Sequence, residues 1–264
     1  MLCAPHIAGS SDSEGTKAKR LEALRKAVGG LRAFSLGGWP PEAFARPGPV
    51  QASGMPAPGL APGGLNEIFD APGGMGAAFG FLFTLVAAAL DEGGHALFIA
   101  ARRALDLGVP CGHGLSALGL DVGRLILVET KTDKEALWAI EEALRSGVRP
   151  ALVAGAIEKG VDLTQSRRLN LAAAMDATPL VLLRGARASG SSAALTRWRI
   201  APAPAARDRF GAFAAWRWHV ALERCRNGRP GEWLIEWDPA VRRFRSVDRD
   251  SNHLAAPARR AASR

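Results

Sequence analysis

The chain lacks an apolar stretch long enough to span a bilayer comfortably, it is poor in cysteine, and no lysine follows its glycine-rich loop at residues 73–76. Its longest apolar run, residues 77–90, makes about four helical turns, short of the roughly 20 residues a membrane helix needs. The N-terminus, MLCAPHIAGSSDSEG, has no basic region followed by a long apolar core, so a secretory signal is not expected there. The 3 cysteines are far apart and show neither disulfide nor zinc-site spacing. That usage points to a reducing cytoplasm.

With 264 residues, 48% of them hydrophobic, the chain can bury a substantial core, and a globular protein with one main domain is expected. Its formal charge of +9 is unevenly placed. Residues 1–183 hold 17 Lys+Arg against 18 Asp+Glu, whereas residues 184–264 hold 17 Arg against 7 acids. The positive excess therefore lies in the last third, where it suggests a nucleic acid or an acidic protein as partner. A solvated arginine-rich surface explains the same numbers, so both readings stand at this point.

Residues 1–36 form an N-terminal segment in which TKAKRLEALRKAVGGLRAFSL places Leu21, Leu24, Ala27, Val28 and Leu31 at helical spacing. Such a narrow apolar stripe on a basic helix suits docking on a partner, so Leu21, Leu24 and Val28 are candidate contacts. Residues 37–64 contain 14 Gly or Pro in 28 positions and read as a linker. From residue 65 onward, apolar runs of strand length (LNEIF, ALFIA, LILVE, ALVAGAI, PLVLLR) alternate with helical segments. Asp133 is expected to cap the helix KEALWAIEEALRS and Gly147 to end it. This alternation predicts an α/β fold, a mostly parallel sheet with helices on both faces. Near the C-terminus the pattern changes. RWRIAP, WRWHVALER and EWLIEW follow one another without a helix and predict an antiparallel pair around the turn CRNGRPG. In WRWHVALER, Trp216, Trp218, Val220 and Leu222 share one face, and Arg217, His219 and Glu223 the other. The predicted core spans 65–247, and residues 248–264 read as a disordered basic tail.

The segment LNEIFDAPGGMGAAFGFLFTLVAAAL has the outline of a strand, a phosphate-binding loop and a buried helix. An active loop of the form G-x-x-x-x-G-K-[ST] cradles phosphate with backbone N–H groups, neutralises it with Lys and holds Mg²⁺ through Ser or Thr. Here Gly73, Gly74 and Gly76 are present as loop formers, but Ala78 and Phe79 stand where the lysine and hydroxyl are needed. No cofactor is expected.

The run VAAALDEGGHALFIAARRALD, followed by LGLDVGRLILVETKTDKEALWAIEEALRSG, resembles the core of the RecA recombinases. LGLDVGRLILVE, EALWAIEEALRSG, DLTQSRRLNLAA, LTRWRIAP and GRPGEWLIEWD, in that order, resemble the ImuA family, RecA-like accessory proteins of bacterial SOS mutagenesis cassettes. The resemblance covers residues 65–240. It implies a RecA-like core without ATPase residues, working in damage-induced translesion synthesis. The partners it implies are an ImuB-like polymerase-family protein and an error-prone replicative-type polymerase, with RecA as a further candidate. Matched to RecA, the catalytic glutamate falls on Arg102 and the strand-end aspartate on Gly155. The two loops that contact DNA in RecA are short here, so any direct DNA contact is expected to be weak.

Other candidates remain. Arg184, Arg187, Arg197 and Arg199 flank the loop ASGSS and offer an anion or partner contact. Arg217, Arg224 and Arg226 extend this basic set. Trp198, Trp216, Trp218, Trp233 and Trp237 are interleaved with arginine and suit either base stacking or core filling. Arg167 and Arg168 read as a solvated helix face, Glu141 and Arg145 as an i,i+4 pair. His95, His113, His219 and Cys111 have no partners at catalytic or ligand spacing. Three other functions compete with the accessory reading: a single-stranded nucleic-acid-binding module, a weak ATPase with an unorthodox lysine, and a SulA-type cell-division inhibitor.

Overall fold

The apolar runs ALFIA, ALVAGAI and PLVLLR form buried strands of one sheet, and LILVE forms a half-buried strand at its edge. The computed structural model describes residue 60 and residues 63–247, apart from 75, 92, 105–107, 186–189 and 227–229. The expected N-terminal helix with Leu21, Leu24 and Val28, nearly all of the linker, Arg187, residues 227–229 of the CRNGRPG turn and the tail lie outside the described residues. In chain order the elements are β1 (Leu65–Asp70), α1 (Ala77–Asp91), β2 (Ala96–Ala101), α2 (Gly112–Ala117), β3 (Leu125–Thr130), α3 (Asp133–Arg145), β4 (Leu152–Ile157), α4 (Leu163–Met175) and β5 (Leu180–Arg184). They are followed by β6 (Thr196–Pro202), β7 (Ala206–Arg207), β8 (Phe213–Cys225), β9 (Gly231–Asp238) and β10 (Arg243–Val247).

The sheet order is β10-β9-β8-β6-β1-β5-β4-β2-β3, with β7 paired to β8. β6, β1, β5, β4, β2 and β3 run parallel; β8, β9 and β10 add on antiparallel beyond β6. The mostly parallel α/β architecture and the antiparallel group near the C-terminus are as the sequence pattern predicts. That group is larger than the expected pair: β10 and β7 join it, because RFRSV carries charge at alternate positions and AR is only two residues long.

Helices cover both faces of the parallel part. α1 packs on one, against Ile68, Phe98, Ala154, Val181, Trp198 and Ile200. Its sequence is apolar all round, which fits its burial by the sheet and the curled antiparallel strands. Phe81 of α1 lies 5.8 Å from Trp218 and 5.6 Å from Phe244, ring centre to ring centre. α3 and α4 pack on the other face, against Ile99, Val153, Leu180 and Leu182. Leu60, inside the predicted linker, is buried in the α1 layer.

A buried polar chain ties the central strands together. The Trp198 indole N–H donates to Thr196 Oγ1, the Thr196 hydroxyl donates to Asn66 Oδ1, and the Asn66 amide donates to the carbonyls of Gly64 and Leu180. Each of these groups is thereby satisfied away from water. Trp198, Trp218 and Trp237 are buried core residues, Trp237 donating to the Leu118 carbonyl, while Trp216 and Trp233 are half-buried against the same core; the three buried ones are the tryptophans removed from solvent. Their rings are not open to stacking bases.

Two helix ends refine the expected caps. Gly147, at φ +72°, stands in the left-handed conformation of a helix stop. The N-cap of α3 is Thr132, whose hydroxyl accepts from the Glu135 amide, and not Asp133. Asp133 sits one position inside and accepts from the Glu158 and Lys159 amides, tying α3 to the loop after β4. Thr132→Ala should therefore cost about 1 kcal/mol, measured as a lowered denaturant midpoint. No change would return the cap to Asp133.

Candidate functional site

The turn between β1 and α1 is a glycine-rich turn that leads directly from strand to helix, and an internal carboxylate lies in it. Gly73 and Gly76 take φ of +73° and +85°, a region that costs a residue with a Cβ about 1–2 kcal/mol. Gly74 donates to the Ala71 carbonyl at 2.7 Å, and a Cβ on it would come within 2.8 Å of that same oxygen. α1 starts at Ala77, directly after Gly76. The two positions behind the last loop glycine are thus Ala77 and Ala78, one residue earlier than the expected Ala78 and Phe79. Neither register provides an ammonium or a hydroxyl. Ala78 is buried, and Phe79 packs edge-on against Phe83 at 5.0 Å and Phe98 at 6.1 Å.

Asp70, the last residue of β1, reaches over this turn. Its Oδ1 accepts from the Ala78 backbone N–H at 2.8 Å, so a carboxylate caps the first turn of α1. The free amides and the positive end of the helix dipole make that place attractive to an anion. Here the anion belongs to the protein. A phosphate oxygen about 4 Å from this carboxylate would be repelled by about 4 kcal/mol per unit charge at an effective dielectric near 20. That is half of what micromolar binding supplies, about 8 kcal/mol.

The other expected positions do not converge on the loop. Arg102 follows β2, and its side chain is ion-paired with Glu129 on β3, the neighbour lying away from β1. Gly155 is the fourth of six residues in β4, inside the strand and not at its end. A Cβ there would meet Ile140 Cδ1 at 2.5 Å and Leu182 Cδ1 at 2.8 Å, on the α3 face and opposite α1. Glycine at 155 thus lets Ile140 of α3 seat against the sheet.

Beside β1 lies a buried charge cluster. Glu67 is fully buried and accepts through Oε1 from Arg184 at 2.6 Å, and through Oε2 from Ser192 at 2.8 Å and Arg197 at 3.0 Å. The Phe69 ring lies under three guanidinium groups, those of Arg184, Arg197 and Arg199, 5.2–5.3 Å from its centre. Expected as a surface contact, Arg184 is instead a core residue with no side-chain exposure. Cross-strand ion pairs engage much of the remaining basic set: Arg199 with Glu223, and Arg217 with Glu236. Arg224 is exposed and donates to the Ser192 carbonyl, and Arg226 is exposed. Elsewhere Glu141 accepts from both Arg145 and Arg168. Backbone hydrogen bonds from Gly114 and His113 hold the exposed Cys111 thiol below its ordinary pKa. Among the described residues, no three His, Cys, Asp or Glu side chains gather as a metal site.

Asp70 and Glu67 were missed as site residues in the sequence. The available signals were an acid directly ahead of the glycine loop and a carboxylate at an interior position of the short strand before it.

The fold defines an α/β protein with a mostly parallel sheet, in which a glycine-rich turn joins the central strand β1 to the buried helix α1. No family model matches the chain. It is 38% identical over 224 residues to the curated Protein ImuA of Caulobacter vibrioides, found in two strains, an alignment that covers 77% of this chain and 88% of the relative. The chain belongs to the ImuA family.

Two substitutions test the site. Asp70→Ala removes the cap of α1 and should cost about 1–2 kcal/mol, seen as a lower unfolding midpoint. Glu67→Gln leaves Arg184 buried beside a neutral amide and should cost about 3 kcal/mol or more by the same measurement.

Proposed function

We propose that this protein is a non-catalytic accessory factor of SOS mutagenesis, acting in damage-induced translesion synthesis through protein contacts in the cytoplasm. Its partners would be an ImuB-like polymerase-family protein, an error-prone replicative-type polymerase and RecA. The observation that carries the non-catalytic part is the Asp70 carboxylate on the Ala78 amide, where a phosphate would have to bind. Alanine at 77 and 78, arginine at 102 and glycine at 155 support the same reading: the alanines offer neither ammonium nor hydroxyl, a guanidinium cannot accept a proton from the attacking water, and glycine has no side chain to hold Mg²⁺. The accessory role rests on membership of the ImuA family. No described helix is long and apolar enough to cross a membrane.

Affinity purification of the tagged full-length chain from DNA-damaged cells tests the partner reading. The expected result is recovery of the polymerase-family protein in near-stoichiometric amount. Recovery of a cell-division protein in its place would support the SulA-type alternative and overturn this one.

A further inference from the structure

The hairpin joining β7 to β8 carries the most exposed large apolar residue of the described chain, on a turn held rigid. The Asp208 carboxylate accepts from the Phe210 amide at 2.8 Å and the Ala212 amide at 2.9 Å. Backbone bonds from Asp208 to the Ala212 carbonyl and from Gly211 to the Asp208 carbonyl close the same turn. Phe210 stands at its tip, 78% exposed, with the Arg209 guanidinium 4.6 Å from the ring centre. Phe213 is 52% exposed and continues the aromatic line, its ring edge-on to Trp216 at 4.5 Å. Arg207 and Arg209 are both exposed, and among the described residues neither is ion-paired, although one Arg207 Nη1–H donates to the Gly211 carbonyl at 2.6 Å and leaves the rest of that guanidinium open. Asp208, the only acid at the tip, is committed to backbone amides.

We propose that this hairpin is a contact for single-stranded nucleic acid, with Phe210 stacking on a base and Arg207 and Arg209 meeting the flanking phosphates. Several features favour this occupant. An aromatic face stacks on any base, and unpaired arginines supply the charge that follows a backbone. On the neighbouring sheet face, Arg199 and Arg217 are neutralised by Glu223 and Glu236, which leaves the tip, with Arg224 and Arg226, as places where arginine charge has no carboxylate partner among the described residues. The rigid turn presents the ring with little entropy left to lose. The buried tryptophans cannot take this role. The inference is independent of the partner contacts proposed above, and either can fail without the other.

The test is fluorescence anisotropy of the full-length protein with a labelled oligothymidine of about 16 nucleotides, across salt concentrations. Saturable binding that weakens as salt rises is expected. Phe210→Leu keeps apolar bulk without a stacking face and should weaken binding by about five- to a hundredfold at fixed salt. Phe210→Trp should bind at least as tightly as the native chain. Arg207→Gln with Arg209→Gln should make the logarithmic salt slope shallower by about 1.4, that of two phosphate contacts on a single strand. Arg145→Gln, on α3, is the charge control and should leave affinity within about twofold. All these positions are exposed; unchanged melting is expected for the Phe210 and Arg145 variants, and the double arginine variant, which loses the Arg207–Gly211 bond, is compared well below its own melting temperature. The proposal is overturned if the native chain does not bind, if Phe210→Leu binds like native, or if the Arg145 control loses as much as the double arginine variant. Full binding by Phe210→Leu would instead mark the tip as an apolar protein contact.

Discussion

Asp70 ends β1 and caps α1, and this single carboxylate sets what the turn between them can do. The glycines around it keep the left-handed steps and the close backbone approach that a phosphate loop requires. Its oxygen sits on the amide that a phosphate would use, with no entropy of association to overcome. A soluble anion would have to displace it or bind next to its charge, without a lysine to offset the repulsion. The strand, turn and helix fix α1 against the sheet, where the parallel strands and the antiparallel extension both pack on it.

The basic C-terminal third is organised on the same principle. Glu67 takes two arginines in the interior, and Glu223 and Glu236 take Arg199 and Arg217 on the sheet face. Buried ion pairs of this kind contribute little net stability, but removing one partner is costly, so they specify how β1, β5 and β6 fit together. A formal excess of positive charge thus becomes a mostly neutral sheet with unpaired arginine at particular places, the β7–β8 tip among them.

Much of the architecture is legible in the sequence. Runs such as ALFIA and ALVAGAI are apolar because helices cover both faces of their strands, and the alternation of short and long apolar segments reports the βαβ connections. β10 was missed because an edge strand facing solvent on one side carries charge at alternate positions, as RFRSV does. The site was less legible. That lysine is absent from the loop is visible in one dimension. Asp70 bonding to an amide eight residues later, Arg184 lying under the core beside Glu67, and Gly155 facing α3 all depend on strand register and chain direction. Arginine in a basic segment reads as surface until its buried counter-ion is found.

Thermal unfolding of the purified full-length chain with and without Mg²⁺ and a large excess of ATP tests most directly whether the loop is closed by its own carboxylate. A ligand at about a hundred times its dissociation constant adds roughly 2.7 kcal/mol to stability, enough to raise the melting temperature by several degrees. We expect the two curves to coincide. A nucleotide-dependent rise that disappears when a residue of the β1–α1 turn is substituted would contradict the reading.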